Sequence, residues 1–365
     1  MRAAVLRSYG SPLCLEEIDI LPPEQGEVKV RFAASGICHS DLTRMEGKRN
    51  SELPIVLGHE AAGYIEEIGP SVSHLAVGDR VVMSFLYDCG NCFYCCAGKP
   101  NLCEVGQRLL RTGTMPNGTT RLRKGDENIY HMMVSSFAEY GVVPARCAIK
   151  IPDEIPLEAA ALIGCGVLTG TGAVFNTSKV CPGDTVLIIG AGGIGLNVIQ
   201  GAVIAGASIV AVADINNEKL KIARKFGATH LIDGRSQDPV SVVRSLTEGR
   251  GVDHAFEAIG QTTTISQCYN AIRSGGKAVV VGITEAGSCC EVESMPLVVQ
   301  EKILTGSFYG SYRPRLDIER LVGFYLDRRL RLDELISHQY RLDDINEAFN
   351  DLRSGILTRG VIRYE

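Results

Sequence analysis

Cys89, Cys92, Cys95 and Cys103 follow one another as C-x2-C-x2-C-x7-C. Thiolates at such intervals can close a tetrahedral shell around one zinc ion. Gly90, Asn91, Gly98, Lys99 and Pro100 between them are turn formers, as a backbone wrapped around an ion requires. Buried thiols or a pair of disulfides would use the same residues. The apolar run Met1–Leu6 is too short for a secretory signal, so metal is expected here, and the thirteen cysteines point to a reducing, cytoplasmic compartment. Four protein sulfurs leave no open position, so this zinc would be structural and the chemistry must lie elsewhere.

A second constellation is Gly190-Ala191-Gly192-Gly193-Ile194-Gly195, a G-x-G-x-x-G. It follows the apolar run Thr185–Ile189 and opens an apolar helical stretch, with Asp214 19 residues beyond Gly195. In that context the glycines let the backbone approach a pyrophosphate at a helix N-terminus, and the acid accepts the adenosine ribose hydroxyls. A 2'-phosphate would meet a like charge at Asp214, so NAD is expected over NADP. Lys219 either supports the ribose or sits on a solvated helix face.

Three further segments each carry one soft or borderline ligand: Cys38 in Gly36–Asp41, His59 in Gly58–Gly63, and Cys165 in Gly164–Gly170. Three protein ligands with a fourth position open is the layout of a catalytic zinc. Buried core residues would account for each of the three equally well.

These residues need a scaffold. The composition, 45% hydrophobic and 22% charged, is that of a soluble globular chain long enough for two domains. A net charge of -5 argues against nucleic acid or an anionic membrane as partner. Up to about residue 166 the chain reads as β-rich, with strand-like runs such as Val28–Phe32 and Arg80–Met83 between turns. From Val167 apolar runs alternate with helical patterns: Thr185–Ile189, Ser208–Ala213, His230–Ile232, Val252–Phe256, Ala278–Val281 and Lys302–Thr305. That predicts an α/β fold with a doubly wound parallel sheet over 167–309. The uncharged stretch Thr185–Ala213 is expected to be strand, turn, buried helix and strand rather than a membrane span. Helices over Asp317–Asp327 and Asp343–Ser354 and a strand over Arg359–Arg363 predict that 310–365 returns to the first domain.

Taken in order, Gly58-His59-Glu60-x-x-Gly63 with Gly69 and Val72, Gly78-Asp79-Arg80-Val81, the four-cysteine lobe, Gly164-Cys165-Gly166-Val167 and the glycine fingerprint resemble the zinc-containing alcohol dehydrogenases of the medium-chain dehydrogenase/reductase superfamily. The resemblance runs along essentially the whole chain. It implies a GroES-like catalytic domain over 1–166 with a structural zinc lobe at 89–103, a Rossmann domain, two zincs per chain, and reversible NAD-dependent oxidation of primary or secondary alcohols. It implies that Cys38, His59 and Cys165 hold the catalytic zinc and that Asp41 fixes the His59 imidazole. Glu60 would lie behind the metal, as an alternate ligand and as partner of Arg359. Arg359 and His39 would approach the coenzyme pyrophosphate, Ser40 would take the proton of the alcohol, and Phe85 would wall the substrate pocket. A turn hydroxyl, a helix cap and a core ring are the plainer roles for Ser40, Asp41 and Phe85.

Two departures from the family pattern stand out. Thr43 occupies the place of a proton-relaying histidine, and a hydroxyl bridges hydrogen bonds without acting as a terminal base near pH 7. Proton exit would then run through the coenzyme ribose. The segment Glu46–Ser51 is basic at its centre, where the thiol-adduct (glutathione- or mycothiol-type) formaldehyde dehydrogenases carry acids. That branch remains the rival enzyme, and a non-enzymatic nucleotide-binding member of the superfamily is the rival of another class. The substrate would be a small-molecule alcohol, possibilities extending to aryl or bulky apolar ones. The segment Glu104–Val134 resembles that of dimeric relatives, so a homodimer is expected, with a tetramer as the alternative.

Overall fold

A computed structural model describes residues 1–365 except the side chain of Pro314. The chain divides into two compact units, Met1–Gly166 with Arg313–Glu365, and Val167–Tyr312. The second unit thus runs on to Tyr312 rather than stopping at 309. The Tyr309 and Tyr312 rings pack on each other at 4.9 Å, and Gly310 lies against the Gly172 backbone, which holds this segment to its own unit.

In the second unit six strands form a wholly parallel sheet. Numbered within the unit as Thr185–Ile189, Ile209–Asp214, His230–Asp233, Val252–Glu257, Ile272–Val280 and Ile303–Gly306, they lie in the order 3-2-1-4-5-6. Every residue of Thr185–Ile189 is buried, as a central parallel strand covered by helices on both faces demands. Helix Gly193–Ala205 follows it and ends at Gly206 in the left-handed conformation. Thr185–Asp214 is therefore strand, turn, helix and strand. Among the described residues one helical stretch, Leu157–Ser178, is long and apolar enough to cross a membrane, and 89% of its apolar window is buried inside the protein.

The first unit is built on two sheets. Strand Glu27–Ile37 is the spine of one of them. It pairs with Glu60–Ile68 on one side and with the C-terminal strand Arg359–Arg363 on the other, placing Gly36 opposite Glu60 and Gly360 opposite Ile37. The end of the chain is thereby returned to the neighbourhood of Cys38. Met132 and Met133 are both buried, in two different apolar clusters.

A buried ion pair anchors the segment that follows the cysteine lobe. Arg121, 2% exposed, makes a bidentate contact with Glu27 (2.7 and 2.9 Å), and its backbone N–H donates to Nε2 of buried His131 at 3.0 Å. An accepting Nε2 means that His131 is neutral with its proton on Nδ1. Burial first, and then the Arg121 charge, push its pKa down to about 3. Between that value and the ordinary 6.5 the unfolded chain binds a proton that the folded one refuses, so stability falls as pH falls through this window. His131→Gln should keep the acceptor and remove the titration. Its stability relative to wild type, from urea unfolding at pH 7 and at pH 5, should improve by about 1–2 kcal/mol at the lower pH. An unchanged difference would contradict this account.

Candidate active site and metal centres

Cys38, His59, Glu60 and Cys165 are all buried, and one ligand atom from each falls within 4.8 Å of the others. Cys38 sits in extended backbone (φ -126°, ψ 146°) between strand Glu27–Ile37 and helix His39–Met45. His59 immediately precedes strand Glu60–Ile68. Cys165 lies in a widened π-helical turn, Ile163–Val167, of the kind often found at functional sites. Its flanking glycines are required by contact: a Cβ on Gly164 would lie 2.5 Å from the Met83 carbonyl, and one on Gly166 would strike the Arg359 guanidinium.

The polar geometry fits a metal. Nδ1 of His59 donates to Asp41 Oδ1 at 3.1 Å, and the same oxygen accepts the Gly58 N–H at 3.0 Å. With the proton fixed on Nδ1, Nε2 is a bare lone pair; it is buried and has no hydrogen-bond partner. Both carboxylate oxygens of Glu60 are likewise buried without a hydrogen bond, 3.2 Å at the nearest from Arg359. Burial pushes the Glu60 carboxyl up to about 7 against the pull of Arg359. The hydrogen bond from Cys165 draws Cys38 well below the ordinary thiol range in spite of burial, while Cys165, on the other side of that bond, is pushed up. Two thiols, an imidazole with a free lone pair and a carboxylate form a donor set suited to zinc. Cys38, His59 and Cys165 would hold it.

Around this cluster Phe85 packs edge-on against the His59 ring, centroids 5.2 Å apart. Ser40 is half-buried and His39 exposed on helix His39–Met45. The Thr43 hydroxyl donates to the His39 carbonyl, one turn back. Arg359, 5% exposed, also donates to the Ile37 carbonyl at 3.5 Å.

The cysteine lobe fits zinc as well. All four sulfurs of Cys89, Cys92, Cys95 and Cys103 lie within 4.8 Å of one another. Those of Cys92 and Cys103 are 3.9 Å apart, far beyond a disulfide bond and close to the edge of about 3.8 Å expected for a tetrahedron of sulfurs about 2.3 Å from a metal. Backbone N–H groups of Cys89 and Gly106 donate to the Cys103 sulfur and that of Cys92 to Cys89, as thiolates prefer.

In the other unit Gly190 adopts φ +102°, and a Cβ there would meet the Ile259 side chain at 2.7 Å. Gly192 caps helix Gly193–Ala205, which begins with Ile194 and Gly195 in its first turn, and nothing lies within 4 Å of the place where a Gly192 Cβ would be. That leaves room for a phosphate over the helix N-terminus. Asp214 ends its strand and uses both oxygens locally, accepting Ala191 N–H and Asn216 N–H at 2.8 Å each. Lys219 stands half-buried in the first turn of helix Asn217–Lys225.

Sequence reasoning missed several buried charged residues, Glu257 and Arg44 among them. Glu257, fully buried, accepts the N–H groups of Ile259 and Gly260 and the Thr264 hydroxyl, and so fixes the loop beside Gly190. Arg44, 6% exposed, lies one helical turn after Ser40. That i, i+4 spacing on a short helix was the available signal. A third arrangement joins Ser178 to His254 at 2.7 Å and His254 to Asp184 at 3.0 Å. The serine is 2% exposed, so no acyl substrate reaches it and the chain of bonds is a structural tie.

The comparisons agree along the whole length. A family profile described as "Alcohol dehydrogenase GroES-like domain" matches residues 24–153, and one described as "Zinc-binding dehydrogenase" matches 193–326. The NDMA-dependent alcohol dehydrogenase of Amycolatopsis methanolica is 37% identical, covering 100% of this chain and 98% of its own. The S-(hydroxymethyl)glutathione dehydrogenase of Komagataella pastoris is also 37% identical, over 99% and 97%. The crystal structure of benzyl alcohol dehydrogenase from Acinetobacter calcoaceticus superposes with a TM-score of 0.95 at 35% identity, covering 100% of this chain and 99% of that one. With the matching profiles, these relatives and the two thiolate-rich clusters together, the chain belongs to the zinc-containing alcohol dehydrogenase family, whose members are oxidoreductases.

Proposed function

We propose that this protein oxidises primary or secondary alcohols, aryl or bulky apolar ones included, to aldehydes or ketones with NAD, and that the reaction is reversible. The observation that carries the reading is the buried cluster of Cys38, His59 and Cys165 with a lone pair bared on His59. When bound, zinc supplies a Lewis acid that acidifies the alcohol, and NAD supplies the hydride acceptor. Asp41 holds His59 in the tautomer that presents Nε2. Ser40 accepts the hydroxyl proton of the alcohol. Thr43 donates to the His39 carbonyl and can pass a proton on without keeping it, and the coenzyme ribose, when bound, would supply further hydroxyls. Phe85 keeps one side of the site apolar and excludes water. Arg359 balances Glu60 behind the ligands, and His39 provides a contact for the pyrophosphate. The relative named benzyl alcohol dehydrogenase supports an aromatic substrate. The relative named for a glutathione adduct supports the second reading, a thiol-adduct formaldehyde dehydrogenase. A panel from ethanol to benzyl and cinnamyl alcohol, followed by NADH formation, should give turnover, greatest for the aromatic alcohols. No turnover on the panel, with turnover of formaldehyde only when glutathione or mycothiol is added, would favour the second reading.

Asp214 underlies the choice of coenzyme. Its carboxylate accepts the Ala191 N–H within the glycine turn, and a 2'-phosphate bound beside it would be repelled at close range. Asp214→Ser should raise kcat/KM for NADP by about tenfold or more. Because Asp214 also accepts the Ala191 N–H, the variant should weaken NAD too. Equal use of NAD and NADP by the wild type would refute this role.

A cytoplasmic homodimer completes the reading. The parallel sheet ends on strand Ile303–Gly306, with Ile303 exposed and Met295, Val298 and Val299 exposed nearby in sequence, a face that a second copy would cover. Small alcohols and aldehydes are its partners, with no nucleic acid or membrane involved.

A further inference from the structure

Glu257 is the last residue of strand Val252–Glu257 and pairs directly with Ile189, the residue before the glycine turn. Its side chain is fully buried. Oε1 accepts the N–H groups of Ile259 at 2.9 Å and Gly260 at 2.8 Å and the Thr264 hydroxyl at 2.8 Å, while Oε2 is buried with no hydrogen-bond partner. Its backbone carbonyl accepts two more N–H groups, from Val281 at 2.9 Å and Gly282 at 3.0 Å. One residue thus ties the turn after its own strand to the turn after strand Ile272–Val280. A buried carboxylate with one oxygen bare is costly, and its retention calls for a task beyond stability. That task is visible in what the turn touches. The Ala258 N–H donates to the Ile189 carbonyl at 2.9 Å. The three atoms nearest the place of a Gly190 Cβ, its own chain neighbours aside, are Ile259 Cγ1 at 2.7 Å and the Ala258 carbonyl oxygen and carbon at 3.2 and 3.3 Å. The turn Ala258–Gly260 is therefore the wall against which Gly190 is set. It stands at the carboxyl ends of strands 1 and 4, where the order 3-2-1-4-5-6 reverses, the point at which open α/β sheets receive their ligands.

We propose that Glu257 is a positioning residue for the coenzyme: acting through the turn Ala258–Gly260, it holds Gly190 in the shape that receives the pyrophosphate. The proposal rests on the reading of the glycine turn as the NAD site and names a residue that sets its affinity. Glu257 is enclosed, so it does not touch the coenzyme and works only through the turn. A carboxylate is a stronger acceptor for three converging donors than a neutral amide oxygen, so the acid itself matters and not only its size.

The test is fluorescence titration of the zinc-loaded protein with NADH and with NADPH, which needs no turnover. Glu257→Gln should weaken NADH binding about threefold or more, and Glu257→Ala about tenfold or more. The loss should fall on KM for NAD rather than on kcat, with zinc content unchanged. Asp253→Asn is the control. Asp253 lies near the other end of the same strand, where it accepts the Thr185 N–H and hydroxyl at 2.8 and 2.7 Å and pairs with Arg273 at 2.6 Å. That variant should lower the unfolding temperature and leave NADH affinity as in wild type, which separates loss of the turn from loss of stability. Where Glu257→Ala does not fold, Glu257→Gln, of the same size, decides. Wild-type NADH affinity in Glu257→Gln, or an equal loss in Asp253→Asn, would overturn the proposal. Binding of NADPH but not NADH by wild type would overturn the NAD reading, and an NADPH affinity weakened in Glu257→Gln would then leave the role of Glu257 standing. Binding of neither coenzyme by wild type would overturn both.

Discussion

Cys38→Ser is expected to fold normally, to keep one zinc per chain, and to oxidise alcohols about a thousandfold more slowly or worse. The cluster of Cys38, His59, Glu60 and Cys165 lies in a buried pocket of the first unit, and the strands around it are held by their own pairing, Gly36 opposite Glu60 and Gly360 opposite Ile37. Removing one sulfur would therefore remove a metal ligand without removing a support. His59→Ala should behave alike. Circular dichroism and thermal unfolding would report the fold, elemental analysis the zinc, and NADH absorbance the rate. Retained activity with one zinc lost would mean that the chemistry lies elsewhere; loss of the fold would mean that the cluster is structural.

The opposite outcome is expected at the lobe. Cys103 is fully buried, accepts N–H groups from Cys89 and Gly106, and caps the helix that follows it. Metal binding at such a site is folding free energy, about 10–16 kcal/mol for isolated zinc-finger peptides. Cys103→Ala should lower the unfolding temperature by more than about 10 °C or yield aggregated protein, with zinc lost from the lobe. Cys95→Ser should be milder, because Cys96 beside it is exposed and free to take its place. Equal, small effects of the two substitutions would argue that the lobe is held by packing alone.

Much of this was legible in the residues, and the reasons differ from case to case. The Rossmann strands announced themselves because a parallel sheet buried on both faces needs unbroken apolar runs: Thr185–Ile189 was read at its true ends, and Val252–Glu257 lacked one residue. Arg80–Met83 and Arg359–Arg363 were also read to the residue. Strand Ile272–Val280 was read late, as Ala278–Val281, because Arg273-Ser274-Gly275-Gly276 looks like a turn and forms the irregularity between the pairings of Ile272 with Val252 and of Lys277 with His254. Helix Asp317–Asp327 was read short at its start, since Pro314 reads as a breaker although it is well suited to a first helical turn. The long apolar helical stretch Leu157–Ser178 was hidden by its glycines. Ligand types were visible from spacing and resemblance, but the convergence of positions 38, 59 and 165 is a property of the fold. The same holds for Arg44 and Glu257: nothing in a sequence says that a charge is buried until its neighbours are in place.

One closed and one open zinc site are expected in a single chain. Zinc and protein should be measured together, by elemental analysis and quantitative amino-acid analysis, on purified wild type of known NAD-dependent alcohol dehydrogenase activity. Two zincs per chain, falling to one in inactive Cys38→Ser, is the result predicted. Full activity with a single zinc per chain would contradict it.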